Sequence, residues 1–395
     1  MDAAKYAKLY ETELFDGVIP FWMAHSLDKN YGGYHTCLLR DGRVYDTDKF
    51  VWLQARQVWM FSMLYNRVKP NQEWLDVALL GADFLKKHGR DKGGNWYFSL
   101  AADGKPLVNP YSIFSDCFAC MAFGQLYLIT GDDEHARIAT DTFKNIIGRR
   151  NNPRGIYEKR IVENRPLRNL ALPMILSNLC LEMEHLLDAA VVQEITDRCI
   201  YEIMEVFWNR ETGLIHENVS EHGDFSDTFE TRLINPGHAI EATGFILDLG
   251  VRRADPDLIQ KAGHILLNTL EYSWDEEYDG IYYFLDVEGY PLQQLEWDQK
   301  LWWVHLETIV ALLKGYLNTG NKQYWTWFET VHEYTWSKFP DPEYGEWWGY
   351  LDRTGDVLLR LKGGKWKGCF HLPRALYQGW KTLEGIIKLD KNIIE

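Results

Sequence analysis

Cysteine is scarce in this sequence of 395 residues, which holds six: Cys37, Cys117, Cys120, Cys180, Cys199 and Cys369. Cys117 and Cys120 have CxxC spacing, but Phe118 and Ala119 place them in an apolar helical run, FSDCFACMAFGQLYLI. With no second pair and no companion histidines, zinc is not implied, and buried free thiols in a reducing, cytoplasmic compartment are the expectation. Basic residues are in deficit, 42 Lys and Arg against 57 Asp and Glu, for a net charge of −15. That balance argues against nucleic acid, whose phosphates call for a basic face. No apolar run approaches the ~20 residues of a membrane helix, so no membrane partner is expected. The opening MDAAKYAKLYETELFDGV has neither a basic leader nor an apolar core, so no signal peptide is expected. Low-complexity linkers are also missing, and residues 1–395 are expected to form one domain.

Aromatic residues are what the chain has in plenty: 17 Trp, 22 Tyr and 18 Phe. Aromatic faces stack on the C–H faces of sugars, with Tyr OH and Trp N–H groups seeking polar partners. They also fill large cores between helices, and composition leaves both uses open.

An internal repeat sets the architecture. Glycine-plus-aromatic segments recur from Gly32 (GGYHTCLLRDGRVYD), Gly93, Arg154 (RGIYEKRIVENRP), Gly213 (GLIHENVSEHGDFSD), Gly280 and Gly345. Their starts lie roughly sixty residues apart. Most contain an alternating run, a DG, EG, HG or TG turn and a second run, which is a β-hairpin signature. The copy from Arg154 lacks the glycine turn. Between the hairpins lie pairs of segments with apolar residues at i, i+3, i+4 and i+7. The first of each pair is apolar all round and the second one-sided, as an inner ring wrapped by an outer ring requires. With the first helix from Asp2 and the last from Cys369 closing the series, the pattern predicts an all-α (α/α)6 barrel of twelve helices. Short β-hairpins fill the loops at one end, where the ligand site is expected.

Ionisable residues unsuited to an apolar core fall at the starts of the inner helices. They are Arg56, His238 with Glu241 in NPGHAIEA, His305 with Glu307, and His371 with Arg374 in KGCFHLPR. His238 and Glu241 share a helix face at i, i+3, and His371 and Arg374 repeat the spacing. Hydrogen-bonded structural histidines, a structural Glu307–arginine pair and core positions for Trp302 and Trp303 are the alternatives. No HExxH and no tight cluster of carboxylates with histidine is present, so no metal is expected.

NPGH around His238, QKLWWVHLE from Gln299 and GGKWKGCFHLPR from Gly363 resemble the N-acylglucosamine 2-epimerase family. YDTDKFVWLQARQVW and NPYSIFSDCFACMAF add to the resemblance, which runs from the first helix to the last. Cellobiose 2-epimerases and mannose isomerases of this family typically carry a further catalytic histidine on a mid-chain inner helix. The matching stretch here, NLALPMILSNL, has none, which favours the N-acyl branch. The resemblance implies interconversion of N-acetylglucosamine and N-acetylmannosamine, activation by bound ATP that is not consumed, and a homodimer.

Inversion at C2 of an opened sugar needs a base, an acid on the other face and a stabilised enolate oxygen. His238 and His371 fit the first two roles, their pKa lying near working pH. Arg56 is the first candidate for the oxygen and Arg374 the second, while Glu307 and Glu241 orient a histidine or assist ring opening. Trp302, Trp303 and Tyr111 are the candidate sugar contacts. GGKWKG is not a Walker A loop but offers Lys365 and Lys367. The loop GRRNNPRGIYEKR offers Arg149, Arg150, Lys159 and Arg160. The two loops are expected to flank one ATP site, the alternative being solvated basic loops. An aldose–ketose isomerase, a cellobiose-type epimerase, a glycoside hydrolase or lyase using Glu241, Glu307 or Asp298, and a non-catalytic binding protein remain open at this point.

Overall fold

The computed structural model describes residues 2–394, with side chains described as far as Leu389; residues 1 and 395 of the expected domain lie outside it. Helix α1 spans residues 3–25, with a π-helical stretch at Glu13–Val18. Pairs follow: α2 Val51–Arg67 with α3 Gln72–His88, and α4 Ile113–Thr130 with α5 Asp133–Arg149. Then come α6 Ala171–Met183 with α7, residues 189–206, and α8 Pro236–Arg253 with α9 Pro256–Ser273. The series ends with α10 Trp302–Thr319, α11 Lys322–Lys338 and α12 His371–Ile394. The described residues thus contain the twelve helices of the expected (α/α)6 barrel.

Local chemistry sets each helix turn. Inner helices α4 and α10 stop at Gly131 and Gly320, both left-handed, where the missing Cβ removes the clash. The next residue, Asp132 or Asn321, starts the outer helix by accepting the N–H of Glu134 or Gln323. Even-numbered helices form the inner ring, and successive members pack on one another from α2 to α12. Trp59 against Phe370, ring centroids 5.3 Å apart, closes it. An inner helix is enclosed on nearly all sides: α4 is long and apolar enough by composition to cross a membrane, yet it lies mostly buried within the ring. The six cysteines are all buried and free.

The hairpins stitch neighbouring repeats together. The short strand before an inner helix pairs antiparallel with the next hairpin: β1 Lys49–Phe50 with β2 Ser99–Leu100, which also pairs with β3 Pro106–Val108. Likewise β4 Leu167–Asn169 pairs with β5 Asn218–Ser220, β6 Leu233–Ile234 with β7 Leu285–Asp286, and β8 Lys300–Leu301 with β9 Tyr350–Leu351. The segment from Arg154 is the exception. Without a glycine turn it forms two short 3-10 turns, Gly155–Tyr157 and Val162–Asn164, instead of a hairpin.

Three repeats share a buried pin. Lys49, Lys300 and Lys362, each ahead of an inner helix, reach back to Asp28 (2.7 Å), Asp275 (3.0 Å) and Asp341 (2.8 Å). Each ammonium also donates to a carbonyl of the same turn, that of Gly32, Gly280 or Gly345. These pairs fix the hairpin end of the barrel, and so the first turns of the inner helices.

Candidate active site

All six inner helices begin at one cavity of about 500 Å³, within the usual range for small-molecule sites. Their first two turns supply Trp52 and Arg56, Phe114 and Phe118, Ala171 with Met174 and Ile175, His238 with Glu241, Trp302 with Trp303, and His371. Six helix N-termini therefore face the same space, and their partial positive charges favour an anionic ligand or intermediate there.

The NPGH motif shows how the sequence builds its corner. Asn235 Oδ1 accepts the His238 N–H at 3.2 Å and starts α8, with Pro236 in its first turn. A Cβ on Gly237 would lie 2.4 Å from the Trp303 ring, so only glycine lets that indole pack against the helix start. Trp303 in turn lies near both histidines, its ring centroid 5.6 Å from His238 and 5.8 Å from His371.

Both imidazoles are anchored in the same way. His238 Nδ1 lies 2.9 Å from Glu217 Oε2, and His371 Nδ1 lies 2.8 Å from Glu307 Oε1. An ionised carboxylate only accepts, so each Nδ1 carries the proton and each Nε2 is left for the cavity. Asn169 donates to Glu217 at 3.0 Å, and Arg374 donates to Glu307 at 2.7 Å. Burial pulls both histidines toward the neutral form. For His238 the charge and hydrogen bond of Glu217, with Glu241 beyond, outweigh it and its pKa is raised. For His371 burial prevails, helped by the charges of Arg56 and Arg374, and its pKa falls to about 4. The two imidazoles are thus shifted in opposite directions, His238 toward the charged form and His371 toward the neutral one.

Arg56 is buried against three aromatic rings, its guanidinium 4.4 Å from Trp52, 4.0 Å from Phe118 and 4.5 Å from Phe370. Among the described residues no carboxylate pairs with it and its Nε has no hydrogen-bond partner. Burial lowers its pKa to about 9, so it stays a cation at neutral pH, with donors to spare for an oxygen in the cavity. Glu241 is pushed upward by burial and then by the charge of Glu307. Glu307 itself is held low, because Arg374 and His371 outweigh its burial.

Among the described residues, Glu241, Glu307 and His371 offer ligand atoms within 4.8 Å of one another. The donor set suits a metal poorly: Glu307 is already committed to His371 and Arg374, and Arg56 and Arg374 bring two positive charges to the same cluster. Glu241 and Glu307 lie together in this one cluster, whereas two-carboxylate hydrolysis by that pair needs them across the substrate from each other.

Of the sequence candidates, His238, His371, Arg56, Glu241, Trp302 and Trp303 line the cavity, with Glu307 and Arg374 directly behind His371. Tyr111 does not line it: the ring packs on Phe98 at 4.9 Å and faces a second cavity. His305 is structural, its Nε2 accepting from Ile281 N–H and its Nδ1 bonded to the Leu301 carbonyl. Glu217, Tyr283, Glu296, Gln299 and Trp366 were not singled out from the sequence, because they sit in hairpins and loops rather than at helix starts.

The second cavity, about 830 Å³, is lined by Arg150, Arg154, Arg160, Arg168 and Arg198, with several glutamates. Four of the basic residues expected here lie elsewhere. Arg149 is committed to the buried Asp116 at 2.6 Å, and Lys159 is exposed. Lys367 is buried on Glu346 at 2.6 Å, and Lys365 sits over Trp366 at the mouth of the first cavity. The two loops therefore do not flank one site: a lysine in a glycine-rich loop reads the same in sequence whether it is solvated or locked in an ion pair.

The twelve-helix barrel is also the fold of solved structures of low sequence identity. The cellobiose 2-epimerase of Bacillus thermoamylovorans B4167 superposes with a TM-score of 0.83 at 20% identity, over 96% of this chain and 99% of that one. A D-mannose isomerase does so at 0.80 and 18% identity, over 95% and 98%. This chain belongs to the N-acylglucosamine 2-epimerase family, whose sequence profile matches residues 32–375. It is 40% identical to the N-acylglucosamine 2-epimerase of Rattus norvegicus over 91% of this chain and 88% of that protein. To the human N-acylglucosamine 2-epimerase it is 39% identical, over 91% and 86%. The enzyme is an isomerase, a carbohydrate epimerase.

Proposed function

We propose that the enzyme interconverts N-acetyl-D-glucosamine and N-acetyl-D-mannosamine by moving the C2 proton of the open-chain sugar. The observation that carries this reading is the pair of carboxylate-anchored imidazoles that line one cavity beside Trp303. In the open form the C2 proton is α to the C1 aldehyde. Neutral His371 Nε2 removes it, the electron pair moves toward the C1 oxygen, and Arg56 with the helix N-termini stabilises the resulting anion. His238, the more basic imidazole, returns a proton to C2 from the other face. The reverse reaction uses the same groups with roles exchanged. Glu241, whose pKa burial and the charge of Glu307 raise, is assigned the proton exchange with the ring oxygen during opening and closing.

ATP activation is proposed to act through the arginine-lined cavity, with Arg150 and Arg160 among the phosphate contacts. Ser112 and Phe114 border both cavities. Residues 171, 174 and 175 of α6 face the first cavity and 172, 173 and 176 the second, so a ligand in one bears on the wall of the other. A cytoplasmic homodimer is proposed from the family resemblance.

Incubation with N-acetylmannosamine in deuterated water, with and without ATP, tests the reaction. N-acetylglucosamine carrying deuterium at C2 is the expected product. No turnover of N-acetylmannosamine, with D-mannose converted to its ketose instead, would replace the epimerase reading with an isomerase, and an unlabelled epimer would exclude exchange with solvent through the histidines.

A further inference from the structure

Around the inner ring the wall of the first cavity changes character. Helices α8, α10, α12 and α2 bring His238, Glu241, Glu307, His371, Arg374 and Arg56 to it or directly behind it. The remaining arc, from α4 and α6, is Phe114, Phe118, Ala171, Met174 and Ile175, with no ionisable side chain in the lining. We propose that this apolar arc receives the N-acyl group on C2, and that Met174 and Ile175 set the acyl length the enzyme accepts. The assignment rests on the amino-sugar reading above.

Two features place the acyl group there. Arg56, assigned to the C1 oxygen, lies 4.0 Å over the Phe118 ring. C2 is bonded to C1, so its substituent leaves the reacting centre beside that ring. Next along the arc, Ala171, Met174 and Ile175 fall at i, i+3 and i+4 and share one face of α6. Ala171 is the smallest side chain of this lining, and Met174 is an adaptable unbranched thioether. A charged amine against this arc would lose its hydration with nothing to pair, whereas an acyl methyl gains by leaving water.

The test compares kcat/KM for N-acetyl-, N-propanoyl- and N-butanoylmannosamine in wild type, Met174→Ala and Ala171→Val. One methylene in an apolar pocket changes discrimination by about tenfold or more. Met174→Ala is expected to raise the butanoyl-to-acetyl ratio by about tenfold and Ala171→Val to lower it, with the pH profile for the acetyl substrate unchanged. If Met174→Ala does not fold, Ile175→Val gives the same direction on a smaller scale. Equal losses on all three substrates would overturn the subsite while leaving the epimerase reading intact. A wild-type enzyme that turns over none of the three would overturn the amino-sugar reading itself, and the subsite with it.

Discussion

Glu307 and His371 share a 2.8 Å hydrogen bond at Nδ1, and Arg374 donates to the same Glu307 oxygen at 2.7 Å. One carboxylate thus fixes the tautomer of the base and neutralises a buried guanidinium. Glu307→Gln keeps an acceptor but removes the charge. The expected result is a kcat lower by about 10²-fold or more, within the range for losing a positioned proton-transfer group, with a smaller change in KM. Because the change also leaves Arg374 buried without its counter-ion, the melting temperature should fall. Steady-state rates with C2 deuterium exchange, and a thermal melt, check the two parts.

The histidines predict the shape of the pH profile. His371 must be neutral to act as base, and burial has lowered its pKa to about 4, so the acid limb of kcat/KM should lie well below neutrality. His238 must be protonated to act as acid, and Glu217 has raised its pKa above the usual 6.5, so activity should fall on the alkaline side above that value. Glu217→Gln removes the charge that raises it. The alkaline limb should then move to lower pH, with the acid limb unmoved. A shift of the acid limb instead would exchange the two assignments.

Arg56 should separate activity from stability. Its aromatic cage supplies no counter-ion, so a well-fitting apolar side chain there costs the fold little. Arg56→Met is expected to lower kcat by about 10²–10³-fold, as loss of an oxyanion donor does, with an unchanged or higher melting temperature. A variant that loses both together would make Arg56 structural.

Arg150 and Arg160 line the second cavity, but Lys159 does not. Arg150→Gln and Arg160→Gln should therefore lower the ratio of rates with and without ATP toward one, and weaken ATP binding measured by calorimetry. Lys159→Gln should leave both nearly as they are. Loss of stimulation in the Lys159 variant alone would move the nucleotide elsewhere on the loop.

The barrel was legible because its signals are local and periodic: glycine-then-Asp or Asn turns such as Gly131–Asp132 and Gly320–Asn321, apolar faces and hairpin turns. His238 and His371 were legible because charged groups stood out at one phase of an apolar repeat. Glu217 was not, since its role depends on pairing between β4 and β5, which no local pattern announces. The arginine cavity was read only in part. Arg168 and Arg198 come to it from distant segments, while Lys367 carries the same sequence signal and is spent on Glu346.

The buried pins carry the last prediction. Asp341 and Lys362 are both wholly buried, 2.8 Å apart, and Arg40 adds a second cation to the carboxylate. Burial would raise the Asp341 pKa, but Arg40 and Lys362 outweigh it and hold it well below the usual carboxylate range. Asp341→Asn leaves Lys362 without its counter-ion and should cost about 3–5 kcal/mol at neutral pH. A depressed carboxylate stabilises the fold above the unfolded pKa of about 4, and the contribution is lost as pH falls toward the folded value. The gap between wild type and Asp341→Asn in urea denaturation should therefore be full at pH 7 and narrow as the pH is taken below about 4. A gap that stays constant through that range would mean that the variant acts through packing rather than through the ion pair.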